Sequence, residues 1–165
     1  VGAGVVDVGR YRYSLLRWWA PAGAEPSRVT WVTLNPSTVR GCGDPTTRRV
    51  KSLSERWGFS SFEVVSLFAY RSPSPAHLWE RRCDIVGRQN RDYLRAAIFN
   101  AERVVVAWGA AKDERVALAV AQLVGVLRPA GIRAVCLGTN SDGSPKHPLS
   151  LRADAKLERW HPAPP

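Results

Sequence analysis

Three side chains in two polar loops are of the types that hydrolytic chemistry uses: Asn35, Asp44 and His147. An amide such as Asn35 orients a water through its carbonyl oxygen but is too weak a base to take a proton from it. A carboxylate such as Asp44 can activate that water or stabilise a nearby cation. An imidazole such as His147 donates a hydrogen bond when neutral and stabilises a developing anion when charged. The first two share LNPSTVRGCGDPTTRRV (34–50), and the third sits in DGSPKHPL (142–149). Each also has a plainer role open to it. Asn35-Pro36 is ordinary turn chemistry at a strand end. Asp44 precedes Pro45 and a helical pattern, which suits an N-cap. His147, next to Pro148, fits a surface turn.

The elements that must position these groups alternate along the chain. VTWVTL (29–34), FEVVSLFAY (62–70), RVVVAWG (103–109) and RAVCLG (133–138) read as buried strands by their β-branched and aromatic content. PTTRRVKSLSERWG (45–58), RQNRDYLRAAIFNAE (88–102) and DERVALAVAQLVGVLRPAG (113–131) read as helices, the first stopped by Gly58 and the last by Pro129 and Gly131. Residues 11–20 alternate weakly, as a first strand or hairpin arm. Residues 71–90 form a long, basic, proline-interrupted connection with room for one helical turn. Continuous apolar strands separated by helices predict an α/β fold: one domain over 1–165, a three-layer α/β/α sandwich around a central, mainly parallel four-stranded sheet.

In such sheets ligands bind beyond the carboxyl ends of the strands. Four loops are expected to meet there: 35–47, 70–90, 109–113 and 139–148. The first adds Pro36, Ser37, Thr38 and Arg48 to Asn35 and Asp44. The second strand contributes Ser66, Phe68, Tyr70 and Arg71, and the third Trp108, Gly109 and Lys112. The last adds Asn140, Ser141, Asp142 and Lys146 beside His147.

The formal net charge is +10, with 20 arginines and four lysines among the basic residues. Arginine makes bidentate bonds to phosphate and stacks on bases, so the balance points to a polyanionic partner, nucleic acid in particular. A small nucleotide as substrate would not call for so extended a basic surface. The three cysteines, Cys42, Cys83 and Cys136, form no CxxC pair. Reduced thiols with no shared role are expected, with a Cys3His zinc site as the residual alternative. No metal or other cofactor is expected. No apolar run approaches the ~20 residues that span a bilayer. The start lacks the basic and apolar segments of a signal peptide, so a cytoplasmic protein with no membrane association and no obligate protein partner is expected.

The polar loops, in this order, resemble those of the uracil-DNA glycosylase superfamily. TLNPS (33–37) is similar to the G-x-N-P-G motif of its mismatch-specific branch, with Asn35-Pro36 in register. VVVAWGAA (104–111) is similar to the strand that runs into a Gly and a small-residue helix start, and His147-Pro148 to the final His-Pro loop. More closely, the chain resembles a bacterial branch with LNPST…DPT, RWG…FEVVNLFA, AWG and DGxPxHPL motifs, from Tyr11 to about Trp160. That branch is linked to defence against phages with modified DNA, glucosylated hydroxymethylcytosine included.

The resemblance implies a DNA glycosylase that flips a base out of the helix and hydrolyses its N-glycosidic bond. Such hydrolysis needs a placed water near C1′, a stabilised cationic sugar and a stabilised leaving base; Asn35 is the candidate for placing the water, Asp44 for activating it or stabilising the sugar, and His147 for the departing base. Lys146 is assigned to phosphate contact, because the superfamily uses water attack and not a lysine Schiff base. Ser37, Thr38 and Arg48 would meet phosphate or base. Asn140, Ser141 and Asp142 would meet DNA, although Asn-Ser-Asp-Gly is also plain turn chemistry. Phe68, Tyr70 and Trp108 could stack on a flipped base, and Phe68 and Trp108 also suit a strand-end core. Arg81, Arg82, Arg88, Arg91 and Arg95 would track phosphates or form a solvated helix face. Thr33 and Ser37 replace glycines of the mismatch-specific motif, narrowing backbone approach while adding hydroxyls. Ser66 stands where the pattern generally has the Asn that reads uracil. It cannot make that bidentate contact, and it leaves room for a bulkier base. A binding module without catalysis and a uracil-type repair glycosylase are the alternatives.

Overall fold

A computed structural model of the chain describes residues 2–39, 43–152 and 154–162. The elements run β1 (Gly2–Val8), β2 (Tyr11–Trp18), β3 (Arg28–Thr33), α1 (Pro45–Arg56), β4 (Ser61–Ser66), α2 (Pro75–Trp79) and α3 (Asn90–Phe99). β5 (Arg103–Val106), α4 (Glu114–Leu127), β6 (Val135–Cys136), a 3-10 turn (Pro148–Ser150) and β7 (Glu158–Arg159) complete the chain.

The expected four-stranded, mainly parallel sheet is not what forms. The strands make one seven-stranded mixed sheet in the order β1-β2-β4-β3-β5-β6-β7. β3 pairs parallel with β4 and β5, and β5 parallel with β6. β1–β2, β2–β4 and β6–β7 are antiparallel. The local pattern did not carry these edge strands, for physical reasons. β1 is glycine-rich and its alternation is broken by a bulge opposite Val6 and Asp7, where β2 carries Tyr13 as the extra residue. Gly9, at φ +59°, closes the hairpin to β2. β7 is two exposed residues long, too short for any periodicity to register.

The core strands are buried on both faces because helices cover them, and most of their side chains are apolar. On one face Val32, Val65, Val104 and Val106 pack with Leu94 and Ile98 of α3 and Leu123 and Leu127 of α4. On the other, Val29, Trp31, Phe62 and Val105 pack with Val50 and Leu53 of α1. Successive residues of β5 therefore enter different cores. Buried polar groups tie the layers together. Thr30 Oγ1 donates to Ala97 O of α3 at 2.8 Å, and Trp31 Nε1 to Ser54 Oγ of α1 at 3.1 Å. Among the described residues no helix is long and apolar enough to cross a membrane.

Candidate active site

The carboxyl ends of β3, β4 and β5 open into a cavity of about 260 Å³. Asn35, Pro36, Ser37, Asp44, Ser66, Trp108 and His147 all line it, together with Arg12, Thr46, Thr47 and residues 72–75.

Asn35 follows β3 directly. Its Nδ2 donates to Pro36 O at 3.0 Å and to Ser72 O at 3.1 Å. Both partners are carbonyls, so the amide nitrogen must face them, and the orientation of the group is settled by its hydrogen bonds. Its Oδ1 accepts from no described residue. An anchored amide with an open carbonyl oxygen is suited to holding a water. Three further bonds stiffen the loop: Ser72 N donates to Pro36 O, Arg71 Nη2 to Thr38 O at 2.7 Å, and Arg12 Nη1 to Val39 O.

Asp44 is 6% exposed and caps α1. Oδ1 accepts from Thr47 N at 2.9 Å, and Oδ2 from Thr47 Oγ1 at 2.5 Å. The cap is therefore real, and it turns the carboxylate toward the cavity that Asp44 also lines. Asp44 is near enough to His147 to oppose the effect of burial on that ring: burial lowers the His147 pKa, and the Asp44 charge raises it. Burial prevails, which favours the neutral imidazole. Leu149 N donates to His147 Nδ1 at 3.2 Å. Nδ1 is thus an acceptor, and the neutral ring carries its proton on Nε2.

His147 is brought in by a close approach between loops. Gly109 N donates to Pro145 O at 2.9 Å, and Lys146 N to Gly138 O at 2.9 Å. Gly109 has φ +77°, and a Cβ there would sit 3.2 Å from His147 Cβ. Glycine is required on both counts. At the end of β4, Ser66 is 2% exposed and its hydroxyl pairs with Thr33 Oγ1 at 3.0 Å. Asn90, opening α3, holds this strand end by donating to Ser66 O and Leu67 O, both at 3.0 Å. Ser37 lines the cavity, and its Oγ is buried without a hydrogen-bond partner among the described residues.

Of the remaining candidates only Trp108 touches the cavity. Phe68 takes the core role, fully buried and edge-on to Trp79. Trp108 forms cavity wall on one side and packs on Trp160 on the other. Tyr70 lines a separate groove. Arg71 is spent on Thr38 O and on Asp7 at 3.5 Å. Arg48 is exposed and donates to Gly43 O. Asn140 and Asp142 close a turn through Ser144, with Ser141 exposed between them. The Ser144 bonds lower the Asp142 pKa, with a smaller contribution from Lys112, which is exposed. Lys146 is half-buried, its alkyl chain against Gly138. Of the cysteines, Cys83 is exposed and Cys136 buried, while Cys42 lies outside the described residues. Among the described residues no group of three or more His, Cys, Asp or Glu could hold a metal.

Arg12 is the charged cavity residue that local sequence patterns did not mark, as they did not mark Thr46, Thr47 or residues 72–75. It is 5% exposed and grips both oxygens of Asp7, Nε at 2.8 Å and Nη2 at 3.2 Å. A lone arginine between two tyrosines on a weakly alternating strand was the available signal.

A family model described as "Protein of unknown function (DUF1643)" matches residues 12–149. The chain belongs to that family. No curated protein and no solved structure matches it. The family span begins at Arg12 and ends just after His147-Pro148, so it holds every residue that lines the cavity. β1 and β7, the two sheet edges, lie outside it.

Proposed function

We propose that the protein is a monofunctional DNA N-glycosylase that removes a modified base and leaves an abasic site. The observation that carries this reading is the meeting of Asn35 Oδ1, Asp44 and neutral His147 on one small cavity at the carboxyl edge of the sheet. In the reaction a water held by Asn35 adds its oxygen to C1′ as the bond from C1′ to the base nitrogen breaks. The bonding electrons leave with the base, and positive charge builds on the sugar. Asp44 stabilises that charge across the cavity, and the water's proton passes to solvent or to the departing base. His147 donates Nε2–H to the base as it becomes anionic. The net charge of +10 suits a DNA substrate.

The cavity, about 260 Å³, lies just below the ~300 Å³ at which pockets for drug-sized ligands begin. It suits a base and not a whole nucleotide. Ser66, with its short side chain at the floor, favours a base other than uracil. From the family resemblance, the best candidate is a hypermodified phage base such as glucosylated hydroxymethylcytosine, with its sugar projecting through the mouth, and a role in phage defence. One observation favours a second reading, a binding module for modified DNA without catalysis: both Asp44 oxygens already accept bonds from Thr47.

The test is incubation with genomic DNA from phages of different base chemistry, followed by alkali or an abasic-site nuclease. Strand breaks on modified DNA that disappear in Asn35→Ala support the glycosylase. Binding with no breaks on any DNA sinks it in favour of the binding module. Breaks without alkali or nuclease would instead point to a lyase route through Lys146.

A further inference from the structure

A second groove, of about 720 Å³, runs beside the β1–β2 turn and is lined by Arg10, Tyr11, Tyr13, Tyr70, Arg88 and Gln89, among others. Nothing in the proposed chemistry uses it. Three tyrosines form a column under it. Tyr11 stacks on Tyr13 at 6.0 Å and 7°, and Tyr13 on Tyr93 at 5.3 Å and 12°. The parallel stack ends at half-buried Tyr11, against which Tyr70 packs edge-on at 5.8 Å and 87°, and whose hydroxyl donates to Asp84 O at 2.7 Å. Tyr13 lines the groove at 4% exposure, and its hydroxyl makes no hydrogen bond to a described residue. Gly87 is what lets the chain pass so near: at φ +86°, a Cβ there would lie 3.1 Å from Tyr13 Oη.

The charge around the groove is cationic. Arg10 Nη1 donates to Tyr70 Oη at 3.3 Å, and the Arg81 guanidinium sits 5.7 Å over the Tyr70 ring. Arg88 is exposed and has no ion-pair partner among the described residues. Asp84 also lines the groove, but its Oδ1 is taken by the N–H groups of Val86 and Gly87. Gln89 is the N-cap of α3 and makes no side-chain cap bond, so the positive end of that helix adds to the arginines.

The groove and the cavity are neighbours along the chain. Tyr70 lines the first and Ser72 the second. Two extended residues cover only about 7 Å. Arg71, between them, ties both to the Asn35 loop through Thr38 O.

We propose that this groove is a second nucleotide site, which holds a nucleotide of single-stranded DNA next to the one whose base enters the cavity. The base of that nucleotide meets the aromatic column at Tyr11 and takes a hydrogen bond from the Tyr13 hydroxyl. Its phosphates lie on Arg10 and Arg88. Base stacking on aromatics with flanking arginines is how strands are held without base pairing. The proposal rests on the glycosylase reading in naming DNA as the occupant and in placing the neighbouring base in the cavity.

The experiment measures binding of a short fluorescein-labelled single-stranded oligodeoxynucleotide by anisotropy across a salt series. The proteins are the wild type, Arg10→Ala/Arg88→Ala, Tyr13→Phe, and Arg128→Ala as a control on the distant end of α4. The double variant is expected to weaken binding about tenfold or more and to reduce the slope of log K on log salt by about 1.4, at about 0.7 per phosphate contact. Tyr13→Phe keeps the ring and its packing and is expected to weaken binding about two- to tenfold with the slope unchanged. Arg128→Ala is expected to bind like the wild type. A wild type that does not bind the strand overturns the proposal. So does a double variant with unchanged affinity and slope, or an Arg128→Ala loss equal to that of the double variant. The two readings fail separately. Excision of a base with normal binding by the double variant removes the groove alone. Strand binding through Arg10 and Arg88 with no excision on any DNA removes the glycosylase alone.

Discussion

Asp44 serves as a helix cap and as a charge beside His147, and two substitutions separate these roles. Asp44→Ala removes the cap, which is worth about 1 kcal/mol. Beyond that capped N–H, it strips the buried Thr47 hydroxyl of its acceptor at 2.5 Å. Donors left unpaired in such a site cost about a further 1–2 kcal/mol, so a total loss of about 2–3 kcal/mol is expected. Asp44→Asn has the same shape and caps as well. Its oxygen still accepts from Thr47 N, and its amide can donate to Thr47 Oγ1, so stability is expected within about 1 kcal/mol of the parent. The charge, however, is gone. Excision is therefore expected to fall about a hundredfold or more in a protein that remains folded. A readout free of any activity is the His147 ring proton followed by NMR against pH. Asp44 holds the His147 pKa up against burial, so Asp44→Asn should titrate at lower pH than the parent. Urea midpoints give the stability arm. An Asn variant as unstable as the Ala variant, or a His147 titration that does not move, would refute the reasoning.

His147 also sets a pH dependence of stability. Burial lowers its pKa below the usual 6.5. As pH falls through about 6.5, the unfolded chain takes up this proton first, so stability should decline from there toward the folded-state value. His147→Gln should flatten that decline, measured as urea midpoints at about pH 7.5 and about pH 5.5. Gly109→Ala forces a left-handed backbone on alanine and presses its Cβ to 3.2 Å from His147 Cβ. A loss of about 1–3 kcal/mol in chemical denaturation is expected, together with a shifted His147 signal. Arg12→Lys cannot reproduce the two-pronged grip on Asp7 and the bond to Val39 O. It should cost about 1–2 kcal/mol and increase proteolytic nicking in the loop after β3.

Much of the site was legible from local rules. β-branched runs marked β3 and β5, and Pro45 after Asp44 marked the start of α1 with its cap. Strand ends followed by polar loops marked the edge where Asn35, Ser66, Trp108 and His147 now meet. These signals reach only a few residues, because strand propensity, capping and turn chemistry are short-range. What they could not carry was pairing. β1 and β7 owe their strands to partners far along the chain, and so the mixed sheet replaced the parallel one. The same limit applies to roles. Only the folded chain sets Ser72 O against the Asn35 amide and leaves Oδ1 open. Only there does the Asp44 cap also face His147, while Phe68 is absorbed by the core. The sequence by itself decided which groups are present and where the chain turns. The tertiary structure decided which of them share a cavity, because that depends on contacts between elements whose local patterns are independent of one another.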